Sequence, residues 1–190
     1  MKDITKVLFA LLVPLTMFSC GDSEYEYTTH VCYFVFDNST HQDPTLATAM
    51  NASAPGVFCV CTIAYRNGAT YFDFKNNQGN SSSQLADAID QRRTQLLGYN
   101  GGLIVGYGNL SSPMTFYAFD RECPNCFSPD ALPMKSYPLS ISSAGIATCA
   151  KCKREYNMNI GGIISSGDKG NKMTRYRGNT TGPYGVLTVN

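Results

Sequence analysis

Cys123-Pro124-Asn125-Cys126 and, after twenty-two intervening residues, Cys149-Ala150-Lys151-Cys152 narrow what this chain can fold into more than any other feature. Each pair puts two sulfurs on one tight turn. Two such turns roughly twenty residues apart have the spacing of a tetrathiolate metal site, because four sulfurs complete a tetrahedron. Two other uses of the four thiols stay open: structural disulfides, and a redox pair in one of the CxxC turns. The redox use is the weaker reading. It requires a helix to start after the second cysteine, whereas Cys126 is followed by "FSPDALP", with two prolines and no amphipathic pattern.

The compartment bears on that choice. In "MKDITKVLFALLVPLTMFSC", Lys2 and Lys6 precede an apolar run from Val7 to Phe18 that ends at Ser19-Cys20. The run is shorter than the ~20 residues of a membrane span, so it reads as a signal segment rather than an anchor. A small residue directly before a cysteine resembles the lipobox of bacterial lipoproteins, in the looser form found among Bacteroidetes. That resemblance implies that Cys20 becomes the acylated first residue. An ordinary secreted protein cleaved nearby is the alternative. The expected organisation is a signal peptide over residues 1–19, a lipidated Cys20 with an acidic tether over 20–26, and one domain over 27–190. The expected location is the cell envelope, with the lipid in a membrane, the outer one by preference, and the domain on its periplasmic or surface face.

Short aromatic and β-branched runs recur between turn signals: "VCYFVF", "GVFCVCTIAY", "TYFDF", "GGLIVGYG", "MTFYAFD", "GIATC", "GGIIS" and "GVLTV". This pattern predicts an all-β antiparallel sandwich or barrel. Asn67-Gly68 marks a two-residue hairpin turn. One stretch, "SSSQLADAIDQRRTQLLG", reads as a helix, with Leu85, Ile89 and Leu96 near one face, Ser83 as its cap and Gly98 as its end. Fifteen basic and fourteen acidic residues leave a net charge of +1, so nothing in the balance calls for a nucleic-acid partner.

The stretch "FYAFDRECPNC", followed by "GIATCAKCKREYNMNIGGIISSGDKGNKMTRYR", resembles the cluster-binding subdomain of the Rieske family. There, two loops on a small antiparallel sheet each supply a Cys and a His. Here Cys149 and Cys152 match the second pair, Tyr156 the aromatic after it, Gly161-Gly162 the turn, and Gly167 the start of the covering loop. The resemblance runs from about Thr115 to Val189, with metal loops expected at 120–130 and 147–170. The departures are specific. The only histidines are His30 and His41, so Cys126 and Cys152 take the histidine positions, and Asp168-Lys169 replaces the Pro-Ala of the loop. A Rieske centre owes its high potential to histidine ligation, so that activity is not expected of this chain.

The four thiolates of Cys123, Cys126, Cys149 and Cys152 are expected to hold one structural zinc ion. Soft thiolates select zinc or iron–sulfur species over calcium or magnesium, and a closed shell leaves no position for a reactive water. A two-iron, two-sulfur cluster or a single iron on the same cysteines would make the protein an electron carrier. A disulfide-stapled binding module for a protein or glycan is the third class. Lys151, Lys153 and Arg154 can offset part of the site's negative charge. Elsewhere, Cys59 and Cys61 alternate onto one strand face and Cys32 lies in a neighbouring run, as a disulfide or as buried thiols. His30 and His41 have no spaced partner and read as surface or strand-end residues. "GYNGGLIVGYG" reads as turn and strand, the tyrosines as core and cross-strand pairs, and no catalytic motif or credible acid pair stands out.

Overall fold

All eight strand-like runs form strands in a computed structural model of the protein, which describes residues 26–190. The signal segment 1–19, the lipidation candidate Cys20 and most of the tether lie outside the described residues. Thirteen strands in chain order make the described part all-β: β1 Phe34–Asp37, β2 Phe58–Arg66, β3 Ala69–Asn76, β4 Ser81–Leu85, β5 Gly102–Tyr107, β6 Phe116–Asp120, β7 Leu139–Ile141, β8 Ile146–Cys149, β9 Glu155–Asn157, β10 Ile163–Ser166, β11 Arg175–Tyr176, β12 Gly178–Thr180 and β13 Val186–Val189. Two short helices, α1 Asn38–His41 and α2 Pro44–Ala49, follow β1. No described helix is long and apolar enough to cross a membrane.

The strands form three antiparallel sheets: β11-β6-β5-β2-β3-β4, β10-β9-β8-β7 and β1-β13-β12. Alternation along the central strands divides the core in two. Cys59 and Cys61 of β2, Phe72 and Phe74 of β3, and Leu103 and Val105 of β5 pack with Phe34, Phe36, Leu187 and Val189 of the three-stranded sheet and Leu46 of α2. Phe36 lies edge-on to Phe72 and Phe74 at 5.2 and 4.8 Å, and each such buried ring contributes about 1.5–3 kcal/mol. On the opposite face, Phe58, Ile104 and Phe119 pack with Leu139, Ala147, Tyr156 and Met158 of the small sheet and its flank. Because both faces are covered, β5 is buried almost without a break, which explains its continuous apolar run.

Local chemistry sets the boundaries. Asn67 and Gly68 take φ of 51° and 79° in the turn between β2 and β3, as their sequence demands. Asp43 caps α2, its carboxylate accepting the Leu46 N–H at 2.8 Å ahead of a proline in the first turn.

The helix read into Ser81–Gly98 does not form. Ser81–Leu85 pairs with β3 as an edge strand, and only Asp90–Arg92 makes a single 3₁₀ turn. The three residues assigned to its apolar face point outward: Leu85, Ile89 and Leu96 are 53, 55 and 41% exposed. Ser83 is drawn into the sheet, donating to Asp73 Oδ1 at 2.6 Å and accepting from Arg66 at 2.6 Å, so it caps nothing. Strand pairing with β3 supplies hydrogen bonds that an isolated, poorly amphipathic helix could not offset by burial.

The expectation for His41 also needs correction. Its side chain is only 8% exposed, stacks on Phe36 at 4.6 Å and pairs through Nε2 with Asp90 Oδ2 at 2.8 Å. His30 is partly buried and stacks on Tyr99 at 3.9 Å.

Candidate metal centre

The first CxxC turn leaves the end of β6, and the second joins β8 to β9. The six-stranded and four-stranded sheets therefore meet at the cysteines. In the first turn the N–H groups of Cys126 and Phe127 both reach back to the Cys123 carbonyl, at 3.2 and 2.9 Å. In the second, Lys153 closes on the Cys149 carbonyl at 3.0 Å with a left-handed φ of 61°. The Cys123 N–H is fixed by the Tyr137 carbonyl at 3.0 Å, so the turn is anchored before its first sulfur.

The four sulfurs converge. All lie within 4.8 Å of one another, close enough to hold a metal ion. Cys123 Sγ is 3.8 Å from Cys152 Sγ, and Cys149 Sγ is 3.8 Å from Cys126 Sγ, so the close contacts cross between the turns. None of the seven described cysteines is in a disulfide. Cys123 and Cys149 are buried, and Cys126 and Cys152 are half-buried.

The neighbouring groups tune these thiols unequally. Burial raises Cys123 above the ordinary thiol range, against the lowering effect of hydrogen bonds from the Tyr156 hydroxyl and the Asn125 N–H. Burial and the adjacent thiols raise Cys126 further. Burial works in the same direction on Cys152, but hydrogen bonds from the backbone and side chain of Arg154 outweigh it and bring this thiol down to about 6. Of the three basic residues near the second turn, Arg154 is the one engaged with a sulfur.

Asn125 and Tyr156 lock the two turns to each other. Tyr156 is fully buried, and its hydroxyl accepts from Asn125 Nδ2 at 2.9 Å while facing Cys123 Sγ at 3.4 Å, which leaves the hydroxyl proton to point at sulfur. Burial raises the Tyr156 phenol, which keeps that proton in place. Asn125 also grips a third loop, donating to the Asn171 carbonyl and accepting the Asn171 N–H, both at 2.8 Å. From the other turn, Arg154 donates to the carbonyls of Asp168 and Lys169 at 3.0 and 3.1 Å. The Gly167–Asn171 loop is thus tied to both CxxC turns.

Two features escaped the reading of the sequence. Asp120 and Glu122, directly before the first turn, are a buried acid pair where none was expected. Asp120 accepts from the Tyr99 N–H at 2.7 Å, the Tyr176 hydroxyl at 2.8 Å and the Glu122 N–H at 2.7 Å, and burial raises its carboxyl above the usual range. Glu122 accepts from Asn100 at 2.8 Å, and from Ser136 and the Tyr137 N–H at 2.5 Å each. The available signal was the phase of "FYAFDRE", in which Asp120 continues the buried face of Ala118. The second feature is the cluster of His41, Asp87 and Asp90, whose ligand atoms also lie within 4.8 Å. There Asp90 Oδ2 already receives both His41 and the Asp87 N–H, and Asp87 Oδ1 receives the Ile89 and Asp90 N–H groups, so these oxygens are committed to the fold.

The remaining cysteines are buried thiols, the second of the two readings. Cys59 and Cys61 share one strand face as expected, and burial raises Cys61 well above the ordinary range. Burial likewise pushes Cys32 up to about 11. The tyrosines divide: Tyr117, Tyr156 and Tyr176 are core residues, whereas Tyr33, Tyr65 and Tyr184 are exposed. No protein-family model, no curated protein and no solved structure matches this chain.

Proposed function

We propose that Cys123, Cys126, Cys149 and Cys152 hold a single zinc ion that cross-links two sheets of a lipid-anchored envelope protein, in a Rieske-like domain that does no redox work. The carrying observation is the size of the sulfur cage. A tetrahedron with metal–sulfur arms of 2.3 Å has edges of about 3.8 Å. The two sulfur–sulfur contacts across the turns are 3.8 Å.

The same arithmetic bears on the iron–sulfur alternative. Two metal tetrahedra sharing an edge hold outer sulfurs that belong to different metals at least √2 edges apart, about 5.3 Å for arms of that length. Sulfurs that all lie within 4.8 Å of one another support the choice of one ion over a two-iron cluster. A single iron fits the same cage, and thiolates accept either metal. Zinc is our choice between the two, as the ion whose role in a closed four-cysteine shell is structural; no histidine is among the four ligands to raise a potential or couple it to protons. The likeness to the Rieske family draws support from a small antiparallel sheet that carries the second loop, and from Gly161 and Gly162 at φ of 86° and 74° in the matching turn.

Protein purified anaerobically is expected to contain about one equivalent of zinc, to be colourless and to show no reversible metal-centred couple by voltammetry. Stoichiometric iron, with or without acid-labile sulfide, and an absorption band that bleaches on reduction would transfer the assignment to an electron carrier. Anchoring is tested separately. Cys20→Ser should release the protein from membranes or leave it unprocessed, and since one acyl chain binds a bilayer only marginally, stable attachment implies several chains on that residue. Equal membrane association of variant and parent would remove the lipid anchor from this reading.

A further inference from the structure

The face of the six-stranded sheet that carries Ile104 and Phe119 is covered by the small sheet at one end only. At the other end it forms the floor of a cleft of about 800 Å³, walled by β7, within the ~300–1,000 Å³ range of small-molecule sites. The strand register writes a polar row across this floor. Thr62 pairs with Gly102 on one side and Asp73 on the other, Asp73 pairs with Ser83, and the Arg121 N–H bonds to the Gly102 carbonyl at 3.1 Å. The adjacent row runs from Val60 through Lys75 to Ser81.

Charge on this floor is unbalanced. Asp73 is already paired with Arg66, with bonds of 2.7 and 3.0 Å, and accepts a hydrogen bond from Ser83. Lys75 and Arg121 have no acidic partner among the described residues. Arg121 lies over Gly102, where a Cβ would meet its Cδ at 2.9 Å, so the missing side chain makes room for it. Its Nε is buried without a hydrogen-bond acceptor, an uncommon state for a charged donor.

We infer that this cleft binds an acidic saccharide of two or more units, with Arg121 and Lys75 receiving its oxyanions and the Thr62 and Ser81 side chains receiving its hydroxyls. The two cations stand three strands apart, roughly 14 Å at ~4.8 Å per strand, a span that one sugar ring does not bridge. A peptide fits this floor poorly. The backbone groups of β2, β3 and β5 are spent in the sheet ladder, so across the middle of the floor, away from the edge strand β4, side chains are left to recognise a ligand, and hydroxyl side chains suit a polyol.

The test is calorimetric titration of the full-length protein with trigalacturonate, a heparin-derived tetrasaccharide and maltotriose. At least one acidic oligosaccharide is expected to bind, more weakly as salt is raised, and maltotriose is expected not to; the two acidic probes distinguish carboxylate from sulfate as the anion. Arg121→Gln and Lys75→Gln should each weaken binding by about tenfold or more, the loss expected for a hydrogen bond to a charged group. Lys75 is exposed, so its variant tests the cleft even if Arg121→Gln disturbs folding. Maltotriose binding as tightly as the acids, no binding of either acid, or acidic binding indifferent to Lys75→Gln overturns the proposal.

Discussion

Serine at any one of Cys123, Cys126, Cys149 or Cys152 is expected to lower stability by a similar, large amount and to abolish metal retention. Structural zinc sites show apparent binding energies of about 10–16 kcal/mol, against roughly 2–5 kcal/mol for a typical disulfide and ~5–15 kcal/mol for the whole stability of a domain. The equality of the four effects is the informative part. Cys123 and Cys149 are buried while Cys126 and Cys152 are half-buried, so if the thiols only packed, the second pair would be the cheaper to replace. Thermal unfolding of the four variants, with a strong chelator added to the parent as a fifth case, makes the comparison. The chelated parent should match the variants. A thiol titration of unreduced, denatured protein that finds these four cysteines already paired would exclude the metal.

Asp120→Ala is expected to cost about 2–6 kcal/mol, because it strands two buried donors at ~1–3 kcal/mol each, the Tyr176 hydroxyl and the Glu122 N–H, besides the part-buried Tyr99 N–H. Asp73→Ala is the contrast, since its partner Arg66 is 46% exposed and surface pairs contribute about 0–1 kcal/mol. The pH dependence has a definite sign. The folded state raises the Asp120 carboxyl, so its titration stabilises the fold fully below the unfolded value of about 3.9, and that contribution is lost as pH rises through the folded value. The parent's advantage over Asp120→Ala in urea unfolding should therefore be larger near pH 3.5 than near pH 7. An advantage that shrinks on acidification would show that the charged carboxylate is the form the fold prefers.

What the sequence made legible was local in character. Two residues decide a hairpin at Asn67-Gly68, and four residues decide each CxxC turn, so both could be read directly. The central strands were legible because burial on one or both faces leaves an apolar signature. β4 was not, because its sequence, "SSSQL", belongs to a polar edge strand that gains its hydrogen bonds from β3 rather than from its own composition. Its Leu85, with Ile89 and Leu96 beyond it, mimicked a helical stripe although all three face solvent. The partners of the buried polar groups were invisible for a different reason. His41 meets Asp90 across 49 positions and Asp120 meets Tyr176 across 56, and no spacing rule reaches that far. Asn125 is intermediate: its place inside the CxxC turn was evident, but its hold on Tyr156 and Asn171 depends on how three separate segments meet.

The chain between the first CxxC turn and β7 begins and ends at nearly one place. Phe127 is tied to Cys123, while Ser136 and Tyr137 are tied to Glu122, one residue before that cysteine, and Glu122 bridges to Pro138. Between these ties no regular element forms, and Leu132 at the far point is 97% exposed. An excursion held shut at its neck is indifferent to its own length, since doubling a flexible loop costs only about 0.6 kcal/mol. This makes the neighbourhood of Leu132 a display position: a peptide spliced there extends into solvent while the sheets on either side of the neck keep their register.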